Sequence, residues 1–123
     1  MKILPLDIPK TKITQFCQKH HISKLSLFGS ILRDDFQANS DVDFLVEFEA
    51  EHIPGFIRLA TMENELSEIV GRKADLRTLA ELSPYFRMEV SETSVVQYVK
   101  VTENIIPNPS YLESMINYST LFS

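Results

Sequence analysis

At 123 residues the chain is one domain's worth of polypeptide, and its 44% hydrophobic and 24% charged composition is globular rather than disordered or fibrous. Twelve Lys and Arg stand against seventeen Asp and Glu, a net charge of −5 with a pI near 5.1. Domains that grip nucleic acid through its phosphates usually carry a basic surplus and a pI above about 9, so direct nucleic-acid binding is not expected, whereas metal binding fits an acidic chain.

The N-terminus, Met1-Lys2-Ile3-Leu4-Pro5, lacks the apolar stretch and cleavage site of a signal peptide. No apolar run approaches the about 18 to 20 residues that cross a bilayer. The lone Cys17 cannot form an internal disulfide, which suits a reducing compartment. The expectation is a soluble cytoplasmic protein without a membrane partner.

From Pro9 to about His21, Ile13, Phe16, Cys17 and His20 recur at helical spacing, with Pro9 placed for a first turn. Lys24 to Phe28 alternates as a strand, and Gly29-Ser30 breaks it. Ile31 to Phe36 reads as a short helix with Ser30 at its start, followed by a polar loop over Gln37-Ala38-Asn39-Ser40. Asp41 to Phe48 is the most strand-like segment. Val42, Phe44, Val46 and Phe48 share one face, and Asp41, Asp43, Leu45 and Glu47 the other. Phe56 to Val70 is an amphipathic helix stopped by Gly71. Lys73 to Thr78 reads as a third strand, with Ala74 and Leu76 opposite Lys73, Asp75 and Arg77. Leu79 to about Lys100 reads as helix in two pieces.

This order predicts an α/β (α+β) fold, a small mixed sheet flanked by helices. Residues 1–100 make the domain. Residues 101–123 form a C-terminal tail with Pro107 and Pro109 and only Glu103 and Glu113 as charges. Its apolar pairs, such as Tyr111-Leu112 and Leu121-Phe122, suit docking on a partner, and a disordered end is the other reading.

Three features carry chemistry. Gly29-Ser30 stands where a strand meets a helix; Gly allows close backbone approach, the helix start offers free N–H groups, and the Ser30 hydroxyl adds a donor. That is a cradle for phosphate, or simply a turn with a serine cap. Asp41 and Asp43, two apart on a strand, point the same way. Such a pair suits Mg²⁺ together with substrate phosphates, or it is a solvated strand face. Asp75 would add a third carboxylate if its strand lies beside the second, and three carboxylates can hold two Mg²⁺ ions. On its own Asp75 would be a surface residue paired with Lys73 or Arg77.

The combined spacing is more specific than its parts. Gly29-Ser30, ten residues, then Asp41-Val42-Asp43, with a later Asp75 inside a strand, resembles the minimal nucleotidyltransferases of the DNA polymerase β-like superfamily. Arg33 and Ser40 fit that family's context, and the resemblance spans roughly Thr11 to Lys100. Asp34-Asp35-Phe36 departs from it, since many relatives carry Gly or another small residue after the Arg. The resemblance implies transfer of a nucleoside monophosphate from a Mg²⁺-bound triphosphate, ATP being the expected co-substrate, to a hydroxyl. Gly29 and Ser30 would hold the triphosphate, and Asp41 and Asp43 would bind both metals. Asp75 would bind the catalytic metal and help deprotonate the acceptor.

Short stand-alone members resemble the antitoxin of HEPN/MNT pairs, which attaches AMP to a tyrosine of a HEPN-domain ribonuclease toxin in a hetero-oligomer. About 100 residues of catalytic fold leave no room for an acceptor domain, which favours a protein acceptor. A small-molecule, aminoglycoside-type adenylyltransferase and an antitoxin acting by contact alone are the alternatives. Other residues read as structural. His20-His21 has no partner at zinc spacing, Cys17 lies on an apolar helix face, and Arg33 either reaches a phosphate or pairs locally. Tyr85, Tyr98, Tyr111 and Tyr118 read as packing residues before modification targets.

Overall fold

The computed structural model describes residues 4–101. Helix α1 (Lys10–Lys19) buries Ile13, Phe16 and Cys17 and ends at His20 and His21, the latter at φ 55°. Strand β1 (Ile22–Phe28) leads into a single 3-10 turn at Gly29–Leu32. Strand β2 (Val42–Phe48), helix α2 (Phe56–Val70) and strand β3 (Ala74–Arg77) follow. A second 3-10 turn at Leu79–Glu81 precedes helix α3 (Pro84–Thr93) and strand β4 (Val95–Val99).

The four strands form one mixed sheet in the order β3-β2-β1-β4. β1 is antiparallel to both β2 and β4, whereas β2 and β3 are parallel through the α2 crossover. Apolar alternation explains the layering. Leu25, Leu27, Val42, Phe44, Val46 and Leu76 pack against Ile13, Phe16, Met62 and Leu66 of α1 and α2. On the opposite face Phe28 and Leu45 meet Val90 of α3.

Three expectations are corrected. Ile31–Phe36 is not a helix: the 3-10 turn ends at Leu32 and Arg33 is extended at φ −111°, ψ 163°. The second piece of the presumed helix beyond Leu79 is β4, whose Val95, Val96, Tyr98 and Val99 favour a pleated surface. Leu45 was read with the polar face of its strand, and it is buried because α3 covers that face. The proposed tail lies, apart from Val101, outside the described residues.

Gly71 stops α2 as expected, in the left-handed region at φ 79°, with its N–H donating to the Ser67 carbonyl. A Cβ there would meet nothing within 4 Å. Gly71→Ala therefore isolates the backbone cost, and a loss of about 1 kcal/mol in urea unfolding is expected. A neutral result would mean that the chain leaves α2 by another conformation.

Candidate active site

β1 and β2 run antiparallel, so the end of one meets the beginning of the other: Phe28 pairs with Asp43. β3 runs parallel to β2 with Asp75 in register with Asp43. The conditional step in the sequence reading, that the third strand lies beside the second, therefore holds. Gly29 emerges from β1 at φ +78°, and a Cβ on it would fall 2.5 Å from Asp43 Oδ2. Glycine is required here twice, for the dihedral and for the space.

Asp43 is half-buried at this junction. Burial pushes its carboxyl above the usual range, and the negative charges of Asp75 and Asp41 push it further, against the opposing pull of Arg77 and Arg33. Asp41 stands just before β2, and its Oδ2 lies 3.7 Å from Lys73 Nζ. The Ser30 hydroxyl donates a long, 3.4 Å hydrogen bond to the Asp41 carbonyl, which ties the turn to the aspartate strand. The three aspartates are thus brought to one end of the sheet with Gly29 and Ser30. Among the described residues, no group of three His, Cys, Asp or Glu side chains is arranged so that it could by itself hold a metal ion.

The helix start expected after Gly29 is a single 3-10 turn, Gly29–Leu32. What remains at Gly29 is an uncluttered peptide against a carboxylate carrying unbalanced negative charge. A hard cation held between these carboxylates and substrate phosphates would relieve the like-charge repulsion at Asp43. Beside Gly29 opens a recess of about 390 Å³, bounded by Phe28, Leu32 and Arg33 and by Phe86, Glu89 and Val90 of α3. Sequence reasoning missed it, because Leu79 to about Lys100 reads as helix in two pieces and β4 is not among them.

The remaining candidates are accounted for locally. His20 Nε2 donates to Glu65 Oε2 at 2.7 Å, and His21 lies 3.3 Å from Glu49 and stacks on His52. Cys17 is fully buried, and burial pushes its thiol up to about 12, so it offers no thiolate. Arg33 pairs with Asp35 at 3.2 Å. Tyr85 is 94% exposed on α3, and Tyr98 has its hydroxyl pushed up chiefly by burial. Tyr111 and Tyr118 lie outside the described residues.

Residues 11–103 match the family model described as polymerase beta, nucleotidyltransferase. The chain belongs to this family. A nucleotidyltransferase relative from Methanocaldococcus jannaschii, bearing the name protein adenylyltransferase, is 32% identical over 87 residues, 70% of this chain and 90% of its own. The protein adenylyltransferase MntA of Thermococcus cleftensis is 32% identical over 59 residues, 48% of this chain and 58% of its own.

Among solved structures, a minimal nucleotidyltransferase is similar at 24% identity and a TM-score of 0.59, covering 70% of this chain and 86% of that one. A toxin–antitoxin crystal structure with AMP-PNP is similar at 18% identity and a TM-score of 0.61, covering 91% of this chain and 88% of that one. A complex of a tri-AMPylated Shewanella oneidensis HEPN toxin with its MNT antitoxin matches at 16% identity and a TM-score of 0.55, covering 91% and 85%. These likenesses establish a shared fold, and the mixed sheet described above is the nucleotidyltransferase sheet.

Proposed function

We propose that this nucleotidyltransferase is an antitoxin that transfers AMP from Mg-ATP to a tyrosine hydroxyl of a HEPN-type ribonuclease toxin, neutralising it. The observation that carries the reading is the register of Asp43 with Asp75 beside a glycine whose missing side chain leaves room at the Asp43 carboxylate. The relatives named as protein adenylyltransferases and the fold neighbours that are toxin–antitoxin complexes support the acceptor.

Asp41, Asp43 and Asp75 would hold Mg²⁺, which when bound supplies positive charge against the triphosphate. Gly29 and Ser30 would lie against the phosphates, and the recess beside Gly29 has the volume for a nucleoside. Asp75 would take the proton of the acceptor hydroxyl as its oxygen attacks the α-phosphorus. One P–O bond forms, the bond to the β-phosphate oxygen breaks, and pyrophosphate leaves. Cytoplasmic residence belongs to the same proposal; no helix among the described residues is long and apolar enough to cross a membrane.

The test is incubation with each labelled triphosphate, Mg²⁺ and a HEPN-domain protein from the same genome, read by intact mass. Whole AMP increments on the toxin, lost with EDTA, are expected. Increments on an aminoglycoside alone would establish the small-molecule alternative. Toxin inhibition without any mass change would establish inhibition by contact.

The division at residue 100 is also proposed, and the family match ending at residue 103 supports it. A chain ending at Val101 should keep its melting transition while binding the toxin more weakly. Unchanged affinity would remove the docking role of the tail, and loss of folding would put the tail in the domain.

A further inference from the structure

Between Ser30 and Asp41 the chain leaves the sheet, and something must return Asp41 to a fixed place. The turn at its end closes on itself: Ser40 N–H donates to the Gln37 carbonyl at 3.0 Å, and Gln37 N–H donates to Ser40 Oγ at 2.9 Å. Arg72 then reaches in from the far side of the α2 crossover. Its Nη1 donates to the Gln37 carbonyl at 3.0 Å and the Ser40 carbonyl at 3.5 Å. Its guanidinium carbon lies 4.8 Å from the centroid of the Phe36 ring.

The Ser40 carbonyl belongs to the peptide that joins Ser40 to Asp41. The next N–H, of Val42, donates to the Lys73 carbonyl at 2.9 Å, and Lys73 Nζ faces the Asp41 carboxylate. Consecutive residues Arg72 and Lys73 therefore hold Asp41 from both sides, one through the backbone before it and the other through the backbone after it and the charge.

We infer that Arg72 is a positioning residue of the nucleotidyl transfer site, clamping the Phe36–Ser40 turn so that the Asp41 carboxylate is set for the metal-bound triphosphate. The inference rests on the proposed function and deepens it. It also gives Phe36, which stands in the segment where this chain departs from the family pattern, a use as the platform for the guanidinium. Only a planar, multiply donating cation can lie on a ring and reach two carbonyls at once, so lysine is not an equivalent.

The experiment compares Arg72→Ala, Arg72→Lys and Phe36→Leu with Ile69→Ala, a change on α2 that loosens packing away from the turn. Amide exchange at Ser40 and Val42 is measured beside melting temperature and the Mg-ATP dependence of transfer. Arg72→Ala should speed exchange at both amides and raise the Mg-ATP half-saturation about tenfold, the usual scale for losing a group that orients a metal ligand, with a smaller change in kcat. Phe36→Leu should fall between wild type and Arg72→Ala, and Arg72→Lys should recover part of the loss.

Unchanged half-saturation in folded Arg72→Ala, or an equal rise in Ile69→Ala, would overturn the positioning role. Slower or unchanged exchange at Ser40 and Val42 would overturn the clamp itself. A wild type with neither transfer nor stabilisation by Mg-ATP refutes the proposed function instead, and the exchange data still decide whether the clamp exists.

Discussion

Asp43→Asn is expected to abolish measurable nucleotidyl transfer, a loss of about a thousandfold or more, while leaving the metal-free protein at least as stable as before. The two halves of this result have one cause. Asp43 faces Asp75 across the β2–β3 pair, with Asp41 two residues away, so its charge is repelled from both sides. A near-isosteric neutral side chain removes that repulsion, for a gain on the order of 0.5 kcal/mol.

The pH dependence follows in sign. A carboxyl raised in the folded state binds its proton more tightly there than in the unfolded chain. Wild-type stability should therefore fall as pH rises through the carboxylate range, by a component that Asp43→Asn lacks. With Mg-ATP at a hundredfold excess over its dissociation constant, the wild type should gain about 2.7 kcal/mol. The variant should lose most of that gain. Asp75→Asn should keep much of it and still lose transfer, since on the proposed function Asp41 and Asp43 would still hold the nucleotide-bound metal while the acceptor hydroxyl would lack its base. Melts with and without Mg-ATP, beside the transfer assay, make the comparison. Destabilisation of metal-free Asp43→Asn by several kcal/mol with transfer intact would make the aspartates structural and remove the site.

Gly29→Val should lose nucleotide binding altogether. At φ +78° a β-branched residue is strained by about 1 to 2 kcal/mol, and its Cβ would stand 2.5 Å from the Asp43 carboxylate. The carboxylate must swing away or the turn must open, and either change spoils the place where phosphate and metal would meet. Gly29→Ala carries the same first carbon and should bind measurably but weakly. Gly55→Ala is the control, since nothing lies within 4 Å of a Cβ there. Calorimetric titration of Mg-ATP into the folded variants checks the series. Normal binding by folded Gly29→Val would mean that the triphosphate lies elsewhere.

What the sequence revealed divides along a physical line. α2 and its stop at Gly71 were legible because helical periodicity and a left-handed cap are local signals. β2 and β3 were legible from alternation, and Gly29, Asp41, Asp43 and Asp75 from a motif whose spacing the antiparallel β1–β2 junction explains. β4 was not. Its residues follow α3 without a glycine or proline break, and its partner β1 lies some seventy residues earlier, beyond any local pattern. Leu45 was assigned to a polar face for the same reason, since only the assembled fold brings α3 over it. Arg72 was invisible because it binds carbonyl oxygens, which every residue possesses and no side-chain pattern advertises.

The sheet order has a consequence for how the molecule is made. Among the described residues β4 is the last strand in chain order, and its neighbour in the sheet is the first. Everything that places Asp43 against Asp75 is complete once β3 ends at Arg77, whereas the outer edge of β1 stays uncovered until Val95–Val99 is synthesised and returns to it. During that interval the nascent chain displays a row of unpaired backbone donors and acceptors, the template on which strands of other chains misassemble. A chain truncated between β3 and β4 would thus pair β2 with β3 and still carry an adhesive edge at β1, where chaperones would find their target.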